Sequence, residues 1–337
     1  MFFKRFFSLL NARNKEFLRD RSSTSWNILM PIFIVTGFAV TFTSDFSDQY
    51  KVGIFPDIEN ISDTATKNFL NTRYIEFIAI NDIDGATTKV KRHQLDMLIN
   101  SETNKYLIND ESPNGYLVEK LLLADKNITL LKQTVTGKEI RYVDWVIPGI
   151  LAMNMMFSAL FGVGYVIVRY RKNGMLKRLK ATPVTALEYL SVQIVSRLLL
   201  IMAITIFVFY GTNFFIGYAM HGSHLNLFLV FALGAVSMIS LSLIVAARIT
   251  SEETAGGLLN LISWPMMFLS GVWFSLEGTN PVIQEIAEFL PLTHVTAAAR
   301  AIMIDGAGLI DISSHIIILI AQSVVFLAAG AWAFRWE

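Results

Sequence analysis

Cysteine is absent from all 337 residues, which excludes disulfides, thiolate nucleophiles and cysteine-ligated metals and leaves packing as the only cement. Charge is scarce too: Asp, Glu, Lys and Arg make up 16% of the chain and the formal net charge is +1, so no global field draws in nucleic acid. A phosphate-binding loop of the form G-x-x-x-x-G-K-[ST] is missing. Its nearest approach, Gly137-Lys138, has Lys132 where the first glycine belongs and Glu139 where the hydroxyl residue belongs, so ATP hydrolysis by that route is excluded. No carboxylate pair or Ser/His/Asp set stands out by spacing, and the chain is expected not to be an enzyme. His221 and His224 sit in one short loop without a third ligand nearby, which makes loop polarity the preferred account over zinc. The apolar runs also lack a chain of acids suited to a proton relay.

What is abundant is apolar sequence, 53% of residues. Six runs are long enough to be spans: 26–43, 143–168, 191–217, 225–247, 256–276 and 314–334. A helix of about 20 residues crosses the roughly 30 Å hydrocarbon core. The first run contains Pro31 and is the shortest; its distance from Met1 and the lack of a small-residue cleavage site make it a retained span rather than a removed signal. Lys4, Arg5, Arg13, Lys15, Arg19 and Arg21 precede it, and Arg169, Arg171, Lys172, Lys177, Arg178 and Lys180 follow the second run. The loop near 218–224 has no Lys or Arg, and 277–313 has only Arg300. The positive-inside rule then places both termini in the cytoplasm. The expected fold class is an α-helical polytopic membrane protein with six transmembrane helices and an inserted extracytoplasmic α/β domain.

The organisation follows from these runs. Residues 1–25 intersperse Phe2, Phe3, Phe6, Phe7, Phe17 and Leu18 with basic partners, the pattern of an interfacial amphipathic helix, serving as a simple anchor or in a mechanical role. The first span covers 26–43. Residues 44–142 form the external insert, with strands predicted at Lys51–Phe55, Tyr74–Ile80, Leu95–Asn100 and Lys105–Asn109 and helices at Ser62–Asn71, Ile83–Gln94 and Tyr116–Thr136. The triplets Asn60-Ile-Ser62 and Asn127-Ile-Thr129 match a glycosylation pattern that is common by chance. Residues 143–337 carry the other five spans.

The segment 170–188 stands apart. Gly174 permits a sharp break after the second span. Met175, Leu176 and Leu179 then supply an apolar stripe, while Lys177, Arg178 and Lys180 stay wet. Thr182-Pro183 stops one helix and starts another, and Thr185-x-x-Glu188 is a candidate capping box for the third span. Thr250-x-x-Glu253 is a second capping box, opening the fifth span. Such a short cytoplasmic helix fixed to two spans suits either force transmission or headgroup anchoring. Arg197, about two turns into its span, is expected to snorkel to the cytoplasmic face. Asn154, Gln193 and Asn260 either line an inter-helix surface or merely bond neighbouring helices.

Three segments, in order, resemble the membrane subunit of ABC transporters of the second type, the ABC-2 permeases, in the branch with a large external domain after the first span. The first is Lys15 to Arg21 followed by Pro31. The second is Gly174 to Glu188. The third runs from Trp264 to Gly271 and on through Pro281, Leu290-Pro-Leu-Thr293 and Ala299-Arg300. The resemblance covers nearly the whole chain. It implies a coupling helix over 170–188 seated in the ATPase subunit, with Gly174, Met175, Leu176, Arg178, Leu179, Thr182, Pro183 and Glu188 at that contact. It implies re-entrant external helices over 277–293 and an outer gate drawn from Pro265, Gly271, Trp273, Phe274, Pro281 and Pro291. Asn154, Gln193, Arg197 and Asn260 become the polar residues of the pathway. No cofactor or metal is expected on this chain; ATP and Mg belong to the partner subunit. The expected partners are that ABC ATP-binding subunit, a second copy or a paralogous permease, membrane lipid and a periplasmic adaptor, with no nucleic acid. The expected location is a bacterial inner membrane, and the expected activity export. A second reading makes the external domain the working part, driving or recruiting an adaptor.

Overall fold

The computed structural model describes residues 2–19, 21–41, 50–56, 69–70, 72–80, 82–124, 130–137, 140–276 and 280–336. The glycosylation triplets, most of the predicted Ser62–Asn71 helix, Lys138, Glu139, Glu277 and Gly278 lie outside them. The chain divides into two compact units, Met1–Thr41 with Val143–Glu337, and Phe42–Tyr142.

The second unit is built on a five-stranded sheet. Its strands are β1 (Tyr50–Phe55), β2 (Ile75–Ala79), β3 (Met97–Asn100), β4 (Lys105–Asn109) and β5 (Leu131–Val135), in the order β2-β1-β3-β4-β5. All pairs are parallel except β3–β4, which faces Met97 to Ile108 across an antiparallel turn. Period-2 alternation divides the side chains between two faces. Val52, Met97, Ile99, Tyr106 and Ile108 pack on Val118 and Leu122 of α4 (Pro113–Leu122). Leu98 and Leu107 pack on Ala86 and Val90 of α3 (Ile83–Lys91). Ser112 caps α4 through Gly115 N, with Pro113 at its first turn. The helix predicted over Tyr116–Thr136 is therefore two elements: α4 ends at Leu122, and Leu131–Val135 pairs with β4 as an edge strand. Satisfying the β4 edge outweighs the helical spacing there.

On the buried face Tyr106 donates to Glu119 at 2.9 Å, and Lys132 Nζ lies 2.8 Å from the same carboxylate. Burial and the Glu119 carboxylate push the Tyr106 phenol up to about 12. Burial likewise holds Asp96 above the ordinary carboxylate value, although Lys51 N donates to it at 2.7 Å.

The first unit is helical: α1 (Phe2–Arg19), α2 (Arg21–Thr41), α5 (Tyr142–Ala159), a π-helical turn at Leu160–Tyr165, α6 (Val166–Lys172), α7 (Met175–Lys180), α8 (Ala186–Ile216), α9 (His224–Ala246), α10 (Glu252–Leu269), α11 (Pro281–Glu288), α12 (Pro291–Asp305) and α13 (Ser313–Ala333). Among the described residues four helices are long and apolar enough to cross a membrane: Tyr142–Lys172, Ala186–Ile216, His224–Ala246 and Ser313–Ala333. In α2 the apolar stretch among the described residues is Asn27–Gly37, and α10 opens on Glu252 and Glu253. The α10 cap is Ser251, whose Oγ accepts from Thr254 N; the expected Thr250–Glu253 box is not formed, and a single serine cap one residue later takes its place. The Thr185–Glu188 box of α8 is formed, with Thr185 N donating to Glu188 at 2.8 Å. Predicted basic loop residues Arg169, Arg171 and Lys172 belong to α6, since the helix runs on past 168.

Candidate functional site

A cavity of about 720 Å³ opens within the helical unit. Its backbone is one face of the α5–π–α6 helix: Met153, Asn154, Phe157, Ser158, Phe161, Gly162, Tyr165, Val166 and Arg169 recur at helical spacing along it. Sixteen steps from Met153 to Arg169 at about 1.5 Å each make that wall about 24 Å long. Opposite lie Phe17 of α1, Met30, Pro31 and Ile34 of α2, Arg197 of α8, and Trp264 and Met267 of α10. The wall is largely apolar with a few polar groups, the composition of a small-molecule site.

One polar knot is centred on Arg13 of α1. Its Nε donates to Gln193 Oε1 at 3.0 Å, Nη1 to Tyr170 OH at 2.7 Å and to Glu16 at 3.1 Å, and Nη2 to Gly162 O at 3.2 Å. A π turn leaves carbonyls displaced from the ordinary ladder, and Gly162 O lies in that turn. Tyr170 OH donates to Glu16, and Arg169 lies 3.8 Å from the other Glu16 oxygen. Asn14 accepts from Ser196, and Arg5 reaches Pro183 O and Glu188. Thus α1 turns Arg5 and Arg13 inward, while Lys4, Lys15 and Arg19 are exposed, as are Phe3, Phe7 and Leu18.

Arg197 does not snorkel. It is 6% exposed, its Nε and Nη2 donate to Ser158 O and Oγ at 2.7 Å each, and it lies over the Phe17 ring at 5.3 Å. Gly162 makes this possible, because a Cβ there would fall inside the guanidinium. Asn154 also lines the cavity. Gln193 does not; it is buried behind the wall as the acceptor for Arg13. Asn260 is exposed on α10, away from the lining.

The break after α6 is sharp. Gly174 has φ +69°, a left-handed conformation that side chains resist. In α7 Leu176 is fully buried, Met175 is exposed and Leu179 half-buried, and Lys177, Arg178 and Lys180 face solvent. Thr182 Oγ1 closes the helix on Leu179 O at 2.6 Å, and Pro183 is exposed beyond it. Glu188 is buried, held by Thr185 and Arg5.

At the other end α10 stops at Ser270 and Gly271 turns the chain at φ +66°. Arg300 stacks 3.6 Å over Trp145 and donates to Trp145 O at 2.9 Å, to Val272 O at 3.3 Å and to Gly271 O. It holds the turn that aims Trp273 into the cavity. Phe274 and Pro265 are exposed instead. Pro281 and Pro291 open α11 and α12 at their first turns. In α11 Val282, Ile283 and Ile286 are exposed, as is Phe289 just beyond it, and only Ala287 is buried, so the expected apolar side is left uncovered by the described residues. The segment predicted to end at 293 continues as α12 to Asp305.

Sequence spacing did not separate Arg13, Glu16, Tyr165, Arg169 and Met267 as cavity residues, nor Arg171 as a buried tie. Arg171 is 7% exposed and donates to Ala246 O at 2.8 Å, Ala247 O at 3.0 Å, Arg335 O at 2.7 Å and Ile249 O. Glycines at 162 and 164, one helix turn before a basic run, are the only local signal of close approach.

Comparison with known proteins places these features. The profile of the ABC-2 family transporter proteins matches residues 21–332. The inner membrane transport permease YhhJ of Escherichia coli K12 is 25% identical over 301 residues, 88% of this chain and 72% of that protein. The probable multidrug ABC transporter permease YbhS of the same organism is 22% identical over 184 residues, 54% of this chain and 49% of YbhS. The linearmycin resistance permease protein LnrN of Bacillus subtilis is 25% identical over 191 residues, 53% of this chain and 48% of LnrN. The chain thus spans about half the length of YbhS and LnrN.

Proposed function

Since the chain belongs to the ABC-2 family of transporter proteins and is a multi-pass membrane protein, we propose that it is the permease subunit of an ATP-driven exporter. Two copies, or this chain with a paralogue, enclose the pathway, and a separate ATP-binding subunit supplies ATP and Mg. The six spans of this reading are α2, Tyr142–Lys172, α8, α9, α10 and α13. Both termini lie in the cytoplasm, α1 rests in the inner interface of the inner membrane, and the sheet unit is external. The basic flanks of the first and second spans support that orientation.

One observation carries the reading. The helix that lines the cavity from Met153 to Arg169 ends at the Gly174 break, directly joined to the solvent-facing cations of α7. A docked protein moving α7 acts on the cavity wall through one helix, with the π turn at 160–165 as the place to bend. Through Arg5 and Arg13, α1 ties the coupling turn to the same wall. ATP binding by the partner would close the two ATPases together and shift the spans between inward-open and outward-open states, with Trp273 on the Arg300-held turn at the outer end.

The test is a mild-detergent pull-down of the tagged full chain from its native membrane. A co-purifying P-loop ATPase, with transport uncoupled from hydrolysis in Gly174→Pro and Glu188→Arg variants that insert correctly, is the expected result. An eluate without ATPase overturns the reading. The separate compactness of residues 42–142 favours a second reading, in which that unit drives or recruits a periplasmic adaptor. Deleting 50–138 discriminates: complete loss of export supports mechanotransmission, and partial transport supports a self-contained pathway.

A further inference from the structure

Among the described residues three guanidiniums but one carboxylate line the cavity: Arg13, Arg169 and Arg197 against Glu16. Glu16 is already engaged by Arg13, Tyr170 and Arg169. Every Arg13 nitrogen is likewise bonded within the knot. Arg197 differs. It is buried, its bonds go only to Ser158, and among the described residues no carboxylate lies within ion-pair distance of it. A buried charge without a counter-ion costs several kcal/mol even after relaxation. An arginine kept there, in a slot cleared by Gly162, is a site waiting for an anion. Beyond it the wall is apolar through Phe157, Phe161, Pro31, Trp264 and Met267.

We propose that this cavity binds an anionic amphiphile, its carboxylate, sulfonate or phosphate head paired with Arg197 and its hydrocarbon body along the Phe157–Trp264 wall. The volume suits one such molecule. A cationic amphiphile meets the opposite: an excess of positive charge and one carboxylate already held. Calling the ligand cargo rests on the permease reading; the binding chemistry does not.

The experiment uses the full chain in phosphatidylcholine nanodiscs with cis-parinaric acid and its methyl ester, read by tryptophan-sensitised fluorescence. The acid is expected to bind about tenfold more tightly than the ester. Arg197→Gln should abolish that preference and Arg197→Lys should retain it. Because Arg197→Gln removes a buried tie to Ser158, Asn154→Asp provides a variant with Arg197 intact: added negative charge should weaken the acid and leave the ester unchanged. Equal affinity of acid and ester, or acid binding unaltered in Asn154→Asp, overturns the proposal. Competition by phosphatidylglycerol in the disc identifies the occupant as bilayer lipid; its absence identifies a non-bilayer amphiphile of the same chemistry. Charge-selective binding without a co-purifying ATPase would sink the permease reading and leave the site standing, whereas an ATPase with no charge selectivity sinks this inference alone.

Discussion

Arg171 and Arg197 are both buried guanidiniums on cavity-forming helices, and their surroundings differ in kind. Arg171 faces four carbonyls, at Ala246, Ala247, Ile249 and Arg335, around the C-terminus of α9. A cation among orphan helix carbonyls satisfies groups that would otherwise be stranded, and the helix dipole favours it. That region is closed off from the cavity: both Nη atoms of Arg171 are answered by backbone carbonyls, while its buried Nε has no hydrogen-bond partner among the described residues. Around Arg197 one serine provides both acceptors, one ring provides a face, and the rest opens onto a cavity. The closed region reads as architecture and the open one as a place for a ligand.

That contrast can be broken in graded steps. Arg171→Met should have the largest effect, because several carbonyls lose their donor at once; a loss on the order of 3 kcal/mol or failure to fold is expected from detergent-solubilised melting. Gly162→Ala should come next, as its Cβ occupies the Arg197 guanidinium position. It is expected to cost about 2 kcal/mol by overpacking and to weaken parinarate binding together with stability. Thr185→Ala removes the side-chain acceptor at the start of α8 and should lower stability by about 1 kcal/mol with cavity binding intact. If it instead alters binding as strongly as Gly162→Ala, the separation of the two regions fails.

The mildest prediction lies in the sheet unit and depends on pH. The Tyr106 phenol is raised from 10.0 to about 12, so its neutral form is favoured by folding. Its contribution is whole below pH 10 and is lost as the pH rises through about 12. Tyr106→Phe should flatten the alkaline arm of stability between those values, measured by tyrosinate absorbance and melting in parallel. An unchanged alkaline arm would show that Tyr106 is not the titrating group.

Several features were legible in sequence because they are local. The Gly174 break, the Thr185–Glu188 box and the strand at 50–55 each depend on neighbours within a few residues. Periodicity failed where distant partners decide. Leu131–Val135 became a strand because β4 offered an open edge. Arg197 looked able to snorkel because spacing cannot reveal that Gly162, 35 positions earlier, clears a slot for it. The exposed apolar side of α11 likewise shows that an amphipathic pattern does not by itself name what covers it.

By itself the sequence determined four of the stretches that are apolar enough for a membrane, which ends carry the cations, and where the backbone turns at Gly174. These follow from composition and from short-range sterics. Only the tertiary structure decided which cations are wet and which are buried, which face of the Tyr142–Lys172 helix lines a cavity, and that α1 turns Arg5 and Arg13 inward. Those outcomes depend on charge and shape brought together across more than a hundred residues, where Coulomb energy and close packing act through space rather than along the chain.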